Sequence, residues 1–470
     1  MWAEKRIPRP LGSTVTTALN RPTLRPSPRT YLVSCAISGV LWLILLLPLD
    51  RQSSAAKPLK GPSLSQSDSS SWMPFRFRAT NSTRLIRVTS LANQGPGTLR
   101  SCISETGSRV CVFEVGGVIP LLSSLIISEP HLLVAGQTAP APGITLTGSG
   151  IRIATDHVQI EHLAIRPGDD PLLGAKPVER DAVSIGAIPP ESAHHVTLRH
   201  LSLTWAIDEN LSTWYPTTHS VHVSNSIIAE GLHRSIHPKG PHSKGALIGY
   251  GSQRVVLREN LLAFNDERNP YIEPGSSVDL INNVIYGWGP RSASSACNLT
   301  NNDHSAVPVV VSVVGNLFIP GPTSFHARAP VYARYISPAS LVFAQGNLAP
   351  YMAAGAGSGR DVTDLSAPET ISRTCPSPLG CSARLRAEDV EASVLQNAGS
   401  RPAQRSPIDR RIIKQVRSRT GDLKDCISGC TRAAGQGLQG IRPTRRALIP
   451  PKRNIGRWLQ RFSRAVEHVG

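Results

Sequence analysis

The segment "NDERNPYIEPG", residues 265–275, places an arginine in an Arg-x-Pro turn directly after an alternating apolar stretch. Two interpretations of Arg268 follow from this position. Most arginines in Arg-x-Pro turns are solvated surface residues, because turns face water. An arginine whose turn borders a binding groove can instead act on a bound molecule. The elements that position this turn therefore decide which interpretation holds.

Positive charge is concentrated at the two ends of the chain. The formal net charge is +18, yet residues 31–350 carry 23 basic and 21 acidic side chains and are close to neutral. Basic tails without interleaved aromatic residues favour tethering, solubility or attraction to a membrane surface, so no nucleic-acid partner is expected. Apolar residues make up 40% of the chain, which is enough for a sizeable core.

One apolar run, residues 30–49, is long enough to cross a bilayer. The basic residues before it predict a signal anchor with a cytoplasmic N-terminus, or else a signal peptide. Both interpretations export the rest of the chain, and a buried core helix is the alternative. Residues 50–83 are rich in Ser, Pro and Lys, which predicts a flexible linker.

Seven cysteines follow the apolar run, and six of them form three close pairs in the sequence. The pairs are Cys102 with Cys111, Cys375 with Cys381, and Cys426 with Cys430, which leaves Cys297 over. Local disulfides are typical of exported proteins and agree with the apolar leader. A metal site is the alternative for Cys426 and Cys430, although a second pair of ligands does not lie near them in the sequence.

Short alternating apolar stretches recur from about residue 84 and run into polar turns. The last four end on Asn260, Asn283, Asn316 and Asn347, which are 23, 33 and 31 residues apart. This spacing suits one coil of a parallel β-helix, and stacked coils would place the asparagines in a ladder of amide hydrogen bonds. The predicted fold class is therefore all-β with a parallel β-helix, and an antiparallel sandwich is the alternative.

Several longer motifs carry a resemblance to a known family. They are "QGPGTLRSCI" (94–103), "VAGQTAPAPGITLTG" (134–148), "LSLTWAIDEN" (201–210), "SIIAEGLHRSIHPKGPHSKGALIG" (226–249), "NDERNPYIEPG" (265–275) and "RSPIDRRIIKQVRSRTG" (405–421). Together they resemble bacterial pectate lyase-like proteins of the right-handed parallel β-helix class. The resemblance covers roughly residues 84–425.

This resemblance implies cleavage of an acidic, uronate-containing polysaccharide by β-elimination, with Ca²⁺ as the cofactor. It also implies roles for nine residues: metal ligands Glu179, Asp181, Asp208 and Glu209, catalytic Arg268 and Lys244, and substrate-binding Lys239, His237 and His242. Hard carboxylate oxygens suit calcium. A base role for arginine requires a lowered pKa, because a guanidinium normally stays protonated. Each acid could instead be a solvated turn residue, and each lysine an ordinary surface group.

Two positions depart from the family pattern next to Arg268. Glu273 stands where a second basic residue is usual, and Tyr271 replaces a frequent arginine. A carboxylate at residue 273 would repel a polyuronate, which supports an alternative function as a noncatalytic β-helix that binds extracellular or envelope polysaccharide. A glycoside hydrolase would need two carboxylates at glycosidase spacing and a different set of motifs.

The predicted organisation has six parts along the chain. They are a basic cytoplasmic region (1–29), the signal anchor or signal peptide (30–49), the linker (50–83), the β-helix (84–350), a family extension (351–425) and a disordered basic tail with one short helix near its end (426–470). The β-helix is expected outside the cytoplasm as a monomer, secreted or anchored. A membrane is a partner only through an uncleaved N-terminal segment.

Overall fold

The computed structural model describes most of the chain after residue 72. The described residues are 73–174, 176–290, 296–299, 306–325, 329–333, 335–350, 363–365, 371–377, 379, 385–427, 438, 441–451 and 453–468. The predicted apolar segment, residues 30–49, lies outside them. Within the described ranges, no helix is both long and apolar enough to cross a bilayer.

Three long β-sheets form the body of the protein, and the chain crosses them in a fixed order on each turn. We name them the first, second and third sheets in that order. The first contains Arg84–Val88, Arg109–Phe113, Leu132–Ala135, Val158–Glu161, Ala193–Arg199, Thr218–Ser224, Gln253–Arg258, Ser277–Ile281, Val310–Val314 and Leu341–Gln345.

The second sheet contains Thr444–Arg445, Val115–Pro120, Ile144–Thr147, Leu163–Arg166, Ser202–Thr204, Ile227–Ala229, Leu261–Ala263, Val284–Tyr286 and Leu317–Ile319. The third contains Leu125–Ile127, Ile151–Ile153, Val183–Ile185, Glu209–Thr213, Lys244–Ile248, Tyr271–Ile272, Cys297–Leu299, Val331–Ala333 and Thr363–Leu365.

Strand pairing identifies the architecture as a parallel β-helix. Each strand pairs in parallel with the equivalent strand of the next coil, as Val196 does with Val221 and Val221 with Val255. Thr444–Arg445 is the exception and pairs antiparallel with Val115–Pro120. Parallel pairing across all three sheets confirms the predicted β-helix and rules out the antiparallel sandwich.

Period-two alternation explains which side chains fill the coil interior. Along Ala193–Arg199, Val196 and Leu198 are fully buried in the core while Arg199 points outward. Because successive strand side chains face opposite sides, stacked coils repeat this pattern and build one continuous column of Val, Ile and Leu.

The predicted asparagine ladder lies in the bend between the first and second sheets. The side-chain Nδ2 of Asn260 donates to Oδ1 of Asn283 (3.1 Å), Asn283 to Asn316 (3.0 Å), and Asn316 to Asn347 (3.0 Å). Each Oδ1 also accepts the backbone N–H of the preceding asparagine. Each side-chain amide therefore forms hydrogen bonds both with a backbone N–H of the bend and with the neighbouring asparagine amide, and the predicted ladder is confirmed.

Helices cap one end of the body and cover one sheet. Helix α1 (Leu99–Ser104) lies at the first coil, and its N-cap Thr98 accepts a hydrogen bond from the Ser101 N–H. Helices α2 (Ala387–Asn397) and α3 (Pro407–Arg417) pack buried apolar residues against the second sheet. That sheet is thus closed to a polymer ligand along this face.

The end of the chain is ordered where the structure describes it, which corrects the prediction of a disordered tail for residues 441–451 and 453–468. Helix α4 (Ile455–Glu467) buries Trp458 and Leu459 against Val110 and Leu133 of the first sheet. Its apolar side chains fall on one face, so packing against the sheet offsets the cost of ordering a basic segment.

Disulfide chemistry agrees with the predicted pairs as far as the described residues extend. Cys102 and Cys111 form a disulfide, and Cys297 is a buried free thiol. Cys375 and Cys426 are also disulfide-bonded. Their predicted partners, Cys381 and Cys430, lie outside the described residues.

Candidate functional site

The candidate site lies where the strands of the third sheet begin. Glu209 and Lys244 are the first residues of their strands and pair in register. Lys244 also forms an isolated parallel β-bridge, through its backbone, with Glu267 on the following coil. Asp181 precedes its strand by two residues, level with Glu209, because Val183 pairs with Leu211. Stacking of four successive coils therefore brings three acidic side chains and one lysine into one column.

Three carboxylates converge at this end of the column. One oxygen from each of Asp181, Asp208 and Glu209 lies within 4.8 Å of the others. Burial, together with the charge of Asp208, raises the pKa of Asp181 to about 7. Burial and the charge of Asp181 also raise the pKa of Glu209 well above its usual range. Carboxylates held this close ionise together only at a cost that a nearby cation would offset.

Asp208 differs from its neighbours because a histidine supports its charge. Burial acts to raise the pKa of Asp208, but the hydrogen bond and charge of His242, together with Glu209 and His237, lower it below its ordinary value. His242 Nε2 lies 2.7 Å from Asp208 Oδ1, and His237 Nε2 lies 3.9 Å from Oδ2. The two imidazoles stack with ring centroids 3.9 Å apart. Both histidines therefore position Asp208.

Arg268 reaches the carboxylate cluster from the coil that follows the one carrying Lys244. Its guanidinium forms an ion pair with Glu209 and lies over the ring of Tyr271, 5.7 Å from the centroid. The residue has a left-handed backbone (φ 64°), which turns its side chain toward the site. A side chain at residue 245 would collide with the Arg268 carbonyl, so Gly245 lets this turn approach the neighbouring strand.

Lys244 lies on the same level as the acids, and its Nζ is 2.7 Å from Glu267 Oε2. The remaining two predicted residues are more peripheral. Glu179 is exposed on the 3₁₀ turn Pro177–Glu179 at the rim of the adjacent cleft. Lys239 is exposed on a loop, and its backbone N–H donates to His237 Nδ1. Seven of the nine predicted residues thus lie together, and these two lie at the edge.

A cleft of about 790 Å³ borders the carboxylates on the outer face of the third sheet. Asp181, Asp208, Arg100, Arg152 and Trp214 are among the residues that line it. The two arginines place positive charge beside the acids, as a polyanionic ligand would require. Its lining residues span four successive coils of the third sheet, so an extended chain fits it better than a compact molecule.

An aromatic pair stands next to this cleft and is linked to the acids. Trp214 stacks on Tyr250 of the following coil with centroids 5.3 Å apart. Trp214 Nε1 donates to the Ser212 hydroxyl (2.8 Å), which in turn donates to Asp181. Sequence reasoning missed Trp214 and Tyr250 because 36 residues separate them. Their only signal was that each follows the end of a third-sheet strand.

The carboxylate of Glu273 has a structural partner. Its Oε2 accepts the backbone N–H of Tyr250 at 2.9 Å. Glu273 therefore stabilises the turn that carries the exposed aromatic ring, in addition to adding negative charge near the Arg268 turn.

Comparisons with known proteins relate part of the chain to fungal proteins. It is 32% identical over 238 residues to the probable pectate lyase C of Aspergillus terreus, and likewise to that of Neosartorya fischeri, with 50% of this chain and 50% of each relative covered. The probable pectate lyase C of Aspergillus flavus is 33% identical over 236 residues (50% and 49%). The chain spans about half the length of these curated relatives. No family model matches it.

Solved structures that are similar to this chain include a pollen allergen and two pectate lyases. The major allergen from cedar pollen is 16% identical, with 66% of this chain and 87% of that chain covered and a TM-score of 0.47. A Bacillus sp. N165 pectate lyase in complex with trigalacturonate is 13% identical (67% and 93%, TM-score 0.43). Pectate lyase II from Xanthomonas campestris is 13% identical (69% and 96%, TM-score 0.41). The sequence relationship to the curated relatives confirms the resemblance to pectate lyase-like proteins that the motifs carry.

Proposed function

We propose that the protein is a Ca²⁺-dependent polysaccharide lyase that cleaves a uronate-containing, pectate-like glycan by β-elimination. The observation that carries this proposal is the convergence of Asp181, Asp208 and Glu209 with Arg268 beside an open cleft. Lys244 on the same level adds the second basic group that the reaction needs.

The carboxylate cluster fits a calcium ion by its chemistry. Calcium takes six to eight oxygen ligands, and Asp181, Asp208 and Glu209 offer hard, anionic oxygens from adjacent coils. Burial and then the charge of Asp208 raise the pKa of Asp181, and a cation held between the carboxylates would favour its ionised form. These three residues would hold Ca²⁺, and the ion would supply the Lewis acidity that makes the C5 hydrogen beside a uronate carboxylate more acidic. Glu179 stays a prediction as a fourth ligand.

In the proposed reaction Arg268 takes the C5 proton. The electrons of the C5–H bond form a C4–C5 double bond, the C4–O bond breaks, and the departing oxygen is protonated by water. A guanidine that takes this proton enters the step in its neutral form and leaves it as a guanidinium. Lys244 lies within reach of the same column and would hold the uronate carboxylate, as a positioned ammonium does.

The cleft supports an extended, acidic substrate. Arg100 and Arg152 would attract uronate carboxylates, and the Trp214–Tyr250 pair offers an apolar face on which a sugar ring can stack. Lys239, His237 and His242 are proposed to bind substrate, with the two histidines acting through Asp208. A trigalacturonate-bound pectate lyase among the compared structures makes galacturonate the first substrate to test.

The proposal includes the setting of the reaction. We propose that the β-helix winds right-handed, as parallel crossovers almost always do, and works outside the cytoplasm as a monomer. The Cys102–Cys111 disulfide supports an oxidising compartment. The predicted boundaries at residues 84, 350 and 425 are part of the same proposal.

A noncatalytic role in binding acidic glycan is the second candidate. The ion pair between Arg268 and Glu209 favours it, because a carboxylate partner stabilises the protonated guanidinium. A protein of this kind would use the same cleft and acids without turning over its ligand.

An ultraviolet assay for the unsaturated uronide product tests the proposal. The full chain is incubated with polygalacturonate and other polyuronates, first with Ca²⁺ and then with chelator. Chelator-sensitive absorbance on any polymer supports the lyase. Folded protein that retains glycan but yields no product on the whole panel would select the second candidate.

A further inference from the structure

A second cluster of side chains with metal-binding chemistry lies away from the cleft, at the starts of first-sheet strands. His131, His157 and His195 occupy equivalent positions on three successive coils, as the register of Leu132, Val158 and Val196 shows. All three have left-handed backbones, with φ of 59°, 54° and 53°. The turn between the third and first sheets therefore carries a histidine at the same position on three successive coils, and these histidines form one column.

Two further histidines lie beside this column. His194 precedes His195, and His219 pairs with His194 in register and stacks on it with centroids 4.7 Å apart. His157 stacks on His195, with centroids 4.9 Å apart and ring planes 12° from parallel. Five imidazoles thus share one patch of the surface.

Three of these rings bring nitrogen atoms close enough to share one ion. One ring nitrogen from each of His157, His194 and His195 lies within 4.8 Å of the others. His194 Nδ1 and His195 Nδ1 are 2.7 Å apart, so one ring donates a hydrogen bond to the other. Tetrahedral zinc with bonds of about 2.0–2.1 Å holds its nitrogens roughly 3.3 Å apart, which small ring rotations here would reach.

A carboxylate orients one of the three rings. His157 Nδ1 forms a hydrogen bond with Asp156 Oδ1. A ring that donates its Nδ1 proton to a carboxylate presents the lone pair of Nε2, which is the arrangement that supports histidine ligands in metal sites. His157 and Asp156 are each about a third exposed, so an ion can reach them from solvent.

The charge state of the cluster suits a cation. Burial lowers the pKa of His194 against the opposing charge of Asp156, and burial and then His194 lower that of His195. Both rings are therefore neutral near pH 7, and a metal ion that breaks the hydrogen bond between them finds one nitrogen lone pair on each ring. Arg254 lies close enough to oppose a cation, and the Asp156 carboxylate offsets it.

We propose that His157, His194 and His195 form a binding site for a divalent transition-metal ion, with Zn²⁺ as the probe, separate from the carboxylate cluster of the cleft. Imidazole nitrogen suits zinc, cobalt, nickel and copper, whereas calcium prefers oxygen. The ion would join two successive coils at an edge that otherwise depends on backbone pairing. This proposed metal site does not depend on the proposed lyase activity.

The test is a calorimetric titration of the full chain, without a polyhistidine tag, with Zn²⁺. Wild-type protein is expected to bind one ion that the His195→Asn variant does not bind. Asparagine tolerates the left-handed backbone of residue 195, so the variant keeps the turn. Asp156→Asn should weaken binding about 10- to 100-fold by freeing His157. His219→Asn removes a stacked ring of the same patch and should leave affinity unchanged.

Two further measurements identify the site. His242→Asn removes a histidine of the other cluster, Asp208 with His237 and His242, and should leave this zinc affinity unchanged. Bound Co²⁺ should show the visible absorption of a tetrahedral nitrogen site in wild type and lose it in His194→Asn. Equal zinc binding by wild type and a folded His195→Asn variant would overturn the proposal, as would loss of binding in His242→Asn alone.

Discussion

Replacement of Asp181 with asparagine is expected to stabilise the metal-free protein near pH 8, although it removes a proposed calcium ligand. The folded structure raises the pKa of this carboxyl from 3.8 to about 7, through burial and then the charge of Asp208. A carboxyl with a raised folded-state pKa favours the fold while it is protonated. That contribution is complete below about pH 4 and is lost as pH rises through about 7.

The size of the effect follows from the two pKa values. Their difference corresponds to about 4 kcal/mol of unfolding free energy at high pH. Asp181 is partly open to the cleft, and solvent screening reduces the expected gain to about 2 kcal/mol. Near pH 5 the folded carboxyl still holds its proton, so the gain from asparagine should fall below half of its value at pH 8.

Urea unfolding in chelator at pH 5 and pH 8 measures this difference. Asp389→Asn on the exposed side of helix α2 is the matched control and should change stability by less than about 0.5 kcal/mol. Added Ca²⁺ should stabilise wild type and leave Asp181→Asn unchanged. An Asp181→Asn protein that is less stable than wild type at pH 8 in chelator would refute the electrostatic account of the cluster.

Two other perturbations test the ladder and the cleft. Asn283→Ala removes the side-chain partners of the Asn260 N–H and the Leu257 carbonyl, so thermal or urea unfolding should show a loss of about 2–6 kcal/mol, at about 1–3 kcal/mol for each orphaned group. A loss under 1 kcal/mol would mean that the ladder contributes little. Trp214→Ala should weaken substrate binding about tenfold with little change in kcat, since stacking contributes about 1–1.5 kcal/mol. Trp214→Phe keeps the ring, loses the bond to Ser212 and should bind nearly normally, and equal weakening in both variants would assign the effect to that bond instead.

Local sequence patterns predicted the parts of the fold that repeat. Alternation of apolar residues fixes which side of a strand is buried, and the asparagine spacing fixes the bend that follows it. The Asn283 and Asn316 pairing could therefore be predicted from two short segments. The disulfide between Cys102 and Cys111 is equally local and was predicted for the same reason.

Features that depend on stacking between coils could not be found from the sequence in the same way. Trp214 and Tyr250 meet only because their strands are neighbours in the third sheet. A short helix was predicted near the end of the basic tail, but its packing through Trp458 and Leu459 was not, because the first-sheet residues that it covers lie more than 300 positions earlier in the chain. The ion pair between Arg268 and Glu209 joins residues 59 positions apart and likewise requires the coil register.

The most direct test of the central claim compares Arg268→Ala with wild type in the ultraviolet assay for unsaturated uronide, with Ca²⁺ present. Arg87→Ala is the matched control, since Arg87 is also an arginine paired with a glutamate but lies outside the cleft. Glycan binding is measured in parallel on all three proteins. The account predicts product from wild type and Arg87→Ala, and retained glycan binding without product from Arg268→Ala. Undiminished product from a folded Arg268→Ala variant would contradict it.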